Sequence, residues 1–186
     1  MPAPARTSLD QIVEAGRHIV QSRGVEGLTM GDVAKAVGVR GPSLYKHVAN
    51  RGELIHLIAE SVTVELGERL DAAIEGEDPI SDLRSLAHVF RRFSHEHPEW
   101  YGLIFARMPA EWQPAGEALT RASRAMLVTT EALAGREKGL EAARTVTAWA
   151  HGFLTMELAG AFRLDGDLDE AFDYGIERLG AAIAQR

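Results

Sequence analysis

From residue 40 to residue 47 the chain reads Arg-Gly-Pro-Ser-Leu-Tyr-Lys-His, with five side-chain donors and no carboxylate. Arg40, Ser43, Tyr45, Lys46 and His47 are all types that reach phosphate oxygens and base edges, so the chemistry open to this stretch is recognition of a polyanion. Gly41 and Pro42 keep the run slim at its start and let backbone approach a surface closely. Overall charge is -7, which taken alone disfavours a nucleic-acid partner. The average hides an asymmetry: seven basic and four acidic side chains lie up to residue 51, and 13 basic and 23 acidic beyond it. A cationic head on an anionic body separates a polyanion-binding part from the rest.

Other chemistries find little support. There are no cysteines, which excludes disulfides, Cys-ligated zinc and a thiol nucleophile. Neither a glycine-rich phosphate loop nor a Gly-x-Ser-x-Gly elbow occurs, so no enzyme and no cofactor are expected. His95-Glu-His97 is not read as a metal site, because residues two apart on a helix point to different faces. No apolar run approaches the roughly 18 to 20 residues that cross a bilayer, and Met-Pro-Ala-Pro-Ala-Arg-Thr-Ser at the start has no apolar signal segment. The expectation is a cytoplasmic protein with no membrane partner.

The elements that must hold the cationic run are helices. Strand-like alternation is nearly absent, whereas helix punctuation recurs, giving an expected all-α fold of about nine helices: a three-helix head over 1–50 and a larger bundle over 51–186. Ser8 with Gln11 opens the first helix, which Gly24 stops. Thr29 with Asp32 opens a second, closed by Gly38, and a third is expected over about Gly41 to Val48 with Leu44 and Val48 facing inward. Asn50 with Glu53 caps a long fourth. Further helices are expected from Ile80, from Pro98, up to about Leu133, over about Leu140 to Leu164, and after Asp165-Gly-Asp167. Two short helices joined by a glycine turn form a helix-turn-helix, whose second helix enters the major groove of DNA. A plainer reading stays open on shape alone: such helices occur in many bundles, Thr29 can simply cap, and Tyr45 can pack its ring.

The stretch from Leu28-Thr-Met-Gly-Asp-Val-Ala-Lys-Ala-Val-Gly-Val through Leu44-Tyr-Lys-His and Arg51-Gly-Glu-Leu resembles the DNA-binding head of TetR-type transcriptional regulators over roughly residues 8 to 60. Val48 departs from the family's usual Phe, and Arg51 from its commoner Lys. The resemblance implies a homodimeric repressor, released from a palindromic site on double-stranded DNA by a small molecule. It further implies that Thr29, Tyr45, His47 and Arg51 hold phosphates, while Arg40, Gly41, Pro42, Ser43 and Lys46 meet or approach base edges.

The body resembles a subgroup of that family through His97-Pro-Glu-Trp-Tyr-Gly-Leu-Ile-Phe105, Trp149-Ala-His-Gly152 and Phe172-Asp-Tyr-Gly175, which implies a ligand-binding and dimerisation domain. The small residues Gly160, Ala171, Gly175 and Ala182, mixed with Phe172, Ile176, Leu179 and Ile183, allow a close helix interface, between two copies as the resemblance implies or else within one chain. A ligand of unknown identity would meet His88, Arg92 and Glu157 as polar groups and Phe93, Trp100, Met108, Trp112, Trp149, Phe153 and Met156 as apolar walls, with core packing the favoured alternative for the aromatic side chains. His151 is read as a hydrogen-bonded core histidine. The rival readings are a small-molecule-binding or catalytic helical bundle that does not bind DNA, and a protein-interaction adaptor.

Overall fold

The computed structural model describes residues 7–184; Arg6, part of the cationic head's charge, lies outside them with the rest of the chain's start. Nine α-helices form among the described residues: α1 (Leu9–Arg23), α2 (Met30–Ala36), α3 (Gly41–Leu44), α4 (Arg51–Asp71), α5 (Pro79–Glu96), α6 (Pro98–Phe105), α7 (Gly116–Ala134), α8 (Gly139–Leu158) and α9 (Leu168–Ala184). Several of their starts carry side-chain caps. Ser8 Oγ accepts from the Gln11 amide while Gln11 Oε1 accepts from the Ser8 amide. Asn50 Oδ1 accepts from the Glu53 amide, Asp78 from Ile80 and Ser81, and Asp167 from Asp169 and Glu170. Each bond satisfies a first-turn donor that the helix itself leaves open.

The helices divide between two compact units. One runs to Val64 and takes in His97–Leu119; the other holds Glu65–Glu96 and resumes at Thr120. The first unit closes on Ile12 and Val20 of α1, Val33 of α2, Leu44 of α3 and Leu54, Ile55 and Ile58 of α4, all buried. The second closes on Leu83, Leu86 and Phe90 of α5, Val146 and Leu154 of α8 and Phe172 and Ile176 of α9. Asp82, buried at the start of α5, accepts from the amides of Glu75 and Gly76 and so fixes the α4–α5 turn.

Two helix ends differ from the sequence expectation. Regular α3 stops at Leu44 and not near Val48: the chain tightens, with the Lys46 amide donating to Ser43 O at 3.4 Å and the His47 amide to Leu44 O at 2.9 Å. This i→i+3 pattern is the usual way a short helix closes. Helix α8 ends at Leu158, six residues early. Gly160 takes a φ of +60° there, and the Ala161 amide turns back to Met156 O at 2.8 Å. Gly160 is thus a helix stop and not part of a helix face.

Helices α4 and α7 approach through Gly67. A Cβ built there would stand 2.7 Å from Ala122 Cα, which is backbone and cannot swing aside. Gly67→Val should cost about 1–3 kcal/mol by overpacking, less the fraction of a kcal/mol that better helix propensity returns. The expected drop in thermal midpoint is a few degrees, at about 2–4 °C per kcal/mol. An unchanged midpoint would show that the two helices do not meet at this point.

Candidate nucleic-acid interface and body cleft

Helix α2 begins at Thr29, whose Oγ1 accepts from the Asp32 amide at 3.1 Å and donates to Asp32 Oδ2 at 2.9 Å. The turn after α2 needs Gly38 at a φ of +72°, and the Val39 amide closes it onto Ala34 O at 2.9 Å. A side chain with a Cβ rarely adopts that backbone angle. Leu44 and Val48, 0% and 1% exposed, pin α3 and its closing turn to the core. That orientation leaves Arg40, Pro42, Ser43, Tyr45, Lys46 and His47 at the surface, with Tyr45 53% exposed and Gly41 partly covered. The structure therefore leaves all five acid-free donors exposed around α3 and its closing turn.

Two expected phosphate ligands have prior engagements. The hydroxyl hydrogen of Thr29 is directed to Asp32. Arg51 Nε donates to Leu28 O at 2.8 Å and its Nη2 to Val25 O at 2.5 Å, so the guanidinium faces the α1–α2 connection. Arg51, expected to hold a phosphate, thus spends Nε and Nη2 on the chain's own backbone.

The ligand candidates do not assemble as a set. Trp100 lies in the first unit, where its Nε1 donates to Arg17 O at 3.0 Å, its ring stacks on His97 and the Arg17 guanidinium lies over it. Trp112 of the same unit covers Gly52, leaving no room for a Cβ, and Met108 O accepts from Gln113 Nε2. Phe93 is fully buried under the Arg69 guanidinium. In the second unit Trp149, Phe153 and Phe172 pack ring against ring, and Met156 is exposed. His151 is half-buried, and burial lowers its pKa from the ordinary 6.5.

Polar groups converge elsewhere in that unit. His88, Arg91, Arg92 and His95 line an open cleft of about 470 Å³ with Asp169. The four recur at i, i+3, i+4 and i+7 and so share one face of α5. Glu157, 7% exposed, accepts from Arg91 Nε at 3.0 Å and Nη2 at 2.5 Å, and His95 Nε2 stands 3.1 Å away. Asp169 meets Arg91 at 2.7 Å and Asp173 meets His88 at 2.9 Å. Burial pushes the Glu157 carboxyl up, but hydrogen bonds from Arg91 and His95 outweigh it and hold the pKa below the ordinary value. Arg91 is raised, first by its hydrogen bond to Glu157, with burial opposing. The partner of Glu157 is thus Arg91. Sequence reasoning passed over Arg91 and Asp169, although the spacing on α5 was visible.

The dimer candidates also divide. Phe172 and Ile176 are buried in their own chain, and Gly175 makes room for the Trp149 ring, so these three serve internal packing. Ala171 and Ala182 are exposed, Leu179 and Ile183 partly so.

Residues 83–179, more than half of the chain, match the family described as the tetracyclin repressor-like C-terminal domain. Residues 12–58 match bacterial regulatory proteins of the tetR family. The chain belongs to the TetR family. Its fold and its head make it a DNA-binding transcriptional regulator with a helix-turn-helix. This TetR-family chain is 29% identical to an uncharacterized HTH-type transcriptional regulator of Mycobacterium tuberculosis, over 98% of its own length and 84% of that protein's. It shares its fold with a protein of unknown function from Rhodococcus sp. RHA1, at 21% identity and a TM-score of 0.84 over 100% of both chains. It shares it also with a TetR variant from Acinetobacter baumannii AYE in complex with minocycline, at 21% identity and a TM-score of 0.69 over 95% and 96% of the two chains. No helix among the described residues is long and apolar enough to cross a membrane.

Proposed function

We propose that two copies of the chain form a repressor that grips a palindromic operator through α3 of each subunit and releases it when a small molecule binds the part beyond residue 50. The observation that carries the reading is the exposed, acid-free run of donors from Arg40 to His47, held in place by Leu44 of α3 and Val48 of its closing turn. Tyr45 and His47 serve the phosphates that set register, and Arg40, Ser43 and Lys46 serve base edges, with Gly41 and Pro42 allowing close approach. The dimer would use the exposed sides of α8 and α9, including Ala171, Tyr174 and Ala182. It acts in the cytoplasm, where its DNA lies, and as a regulator rather than a catalyst.

The ligand reading has the complexed relative behind it, and in this chain it attaches to the cleft on α5. Arg92 is exposed there and carries no ion pair among the described residues, so it is a ready contact for an acidic group on a ligand. Ligand binding would release DNA only through different affinity for two conformations.

Selection of duplexes from a random pool by the full chain tests the whole. The expected product is a palindrome whose half-sites are centred about 34–36 Å apart or more, bound by two chains. No enriched sequence, or one chain per duplex, would overturn it.

A further inference from the structure

We infer that Arg51 is a positioning residue for DNA recognition: it ties the two ends of the α2–α3 reading unit together and does not itself hold a phosphate. The inference rests on α3 being the recognition helix. Arg51 is the first residue of α4, directly after the segment that carries α3. Its Nε reaches Leu28 O at 2.8 Å and its Nη2 reaches Val25 O at 2.5 Å, both just ahead of Thr29, which caps α2. One side chain thus brackets everything from α2 to the turn after α3.

Three features give the bracket its consequence. Leu28 is 1% exposed, so its carbonyl lies where an unpaired acceptor is costly, and Arg51 supplies the partner. The donors used are Nε and Nη2, one of the two edges by which a guanidinium forks onto a phosphate, so that edge is not open to DNA. Finally, a lysine at this place keeps the charge but has a single nitrogen, which does not reproduce a planar fork onto two separate carbonyls.

The test compares Arg51→Lys and Arg51→Gln in the full chain. The duplex that the wild-type protein selects from a random pool and a scrambled duplex of equal length are titrated over a range of salt. Circular dichroism first establishes that each variant is folded at the working temperature. The expected result is that both variants lose about tenfold or more on the selected duplex. They should lose far less on the scrambled one, with the slope of log affinity against log salt unchanged. A phosphate contact predicts otherwise: Lys stays near wild type, and Gln lowers the slope by about 0.9 on both duplexes. That outcome, or wild-type binding by both folded variants, overturns the inference. Should the variants not fold, the wild-type protein decides by nitrogen-15 NMR. The Arg51 Nε–H should exchange slowly without DNA and keep its shift when the selected duplex is added; fast exchange, or a large shift on binding, sinks the proposal. A wild-type chain that selects no duplex would instead remove the recognition-helix reading beneath it.

Discussion

Glu157→Ala should lower the stability of the chain by about 3–5 kcal/mol, the range for removing one partner of a buried ion pair. The reason lies in what is left behind. Arg91, 14% exposed, would lose its bidentate partner while its guanidinium stays over the Phe172 ring, with only the exposed Asp169 to answer its charge. His95 would lose the same carboxylate. A double-mutant cycle separates the pair from the site: Arg91→Met with Glu157→Leu removes both charges and should recover much of the loss, because a well-filled apolar pair avoids the desolvation cost. The dependence on pH has a definite sign. The pKa of Glu157 is lower in the folded chain than its ordinary 4.5, so its contribution is complete above that value and is lost as pH falls through the folded one. In acid denaturation, wild type should lose stability steeply below pH 4.5, and Glu157→Ala should show a shallower slope there. Equal slopes, or a loss under 1 kcal/mol, would mean the pair is solvated and inert.

How much of this was legible in the chain follows from the range of the interactions involved. The caps at Ser8, Thr29, Asn50 and Asp167 act over two or three residues, and their side chains alone specify them. The inward register of Leu44 and Val48 is equally local, since four residues make one helical turn. Arg51 shows the limit. A basic side chain before Glu-Leu reads as a phosphate ligand, and nothing local marks its bond to the Leu28 carbonyl, 23 residues earlier. Glu157 was legible as a polar group on an apolar stripe, but finding Arg91 as its partner needed the rotation of α5 against α8. Trp100 and Trp112 carry no local mark that assigns them to α1 and Gly52 rather than to a ligand pocket. Gly160 was misread because the same residue type serves a close helix contact and a helix stop, and only its φ of +60° distinguishes the two.

Around α3 the expected effects divide by the contact proposed for each side chain. Arg40→Ala should relax preference at one base pair of each half-site at a cost of about 1–3 kcal/mol, roughly 5- to 150-fold in affinity. Duplexes altered at that base pair should bind the variant and the wild type alike. Tyr45→Ala should instead weaken every duplex by a similar factor and leave their ranking intact, because a phosphate contact carries no base information. Lys46 decides between the two roles by its salt response: as a phosphate partner, its loss lowers the salt slope by about 0.9, and as a base reader it shifts sequence preference. All three side chains are exposed while Leu44 and Val48 stay buried, so the substitutions leave the helix seated and report on the proposed contacts with DNA. Binding by a triple Ala variant that matches the wild type in affinity, salt slope and sequence ranking would move recognition off α3 altogether. Nothing else among the described residues of the head combines exposed donors, absent carboxylates and a rigid helical support in this way.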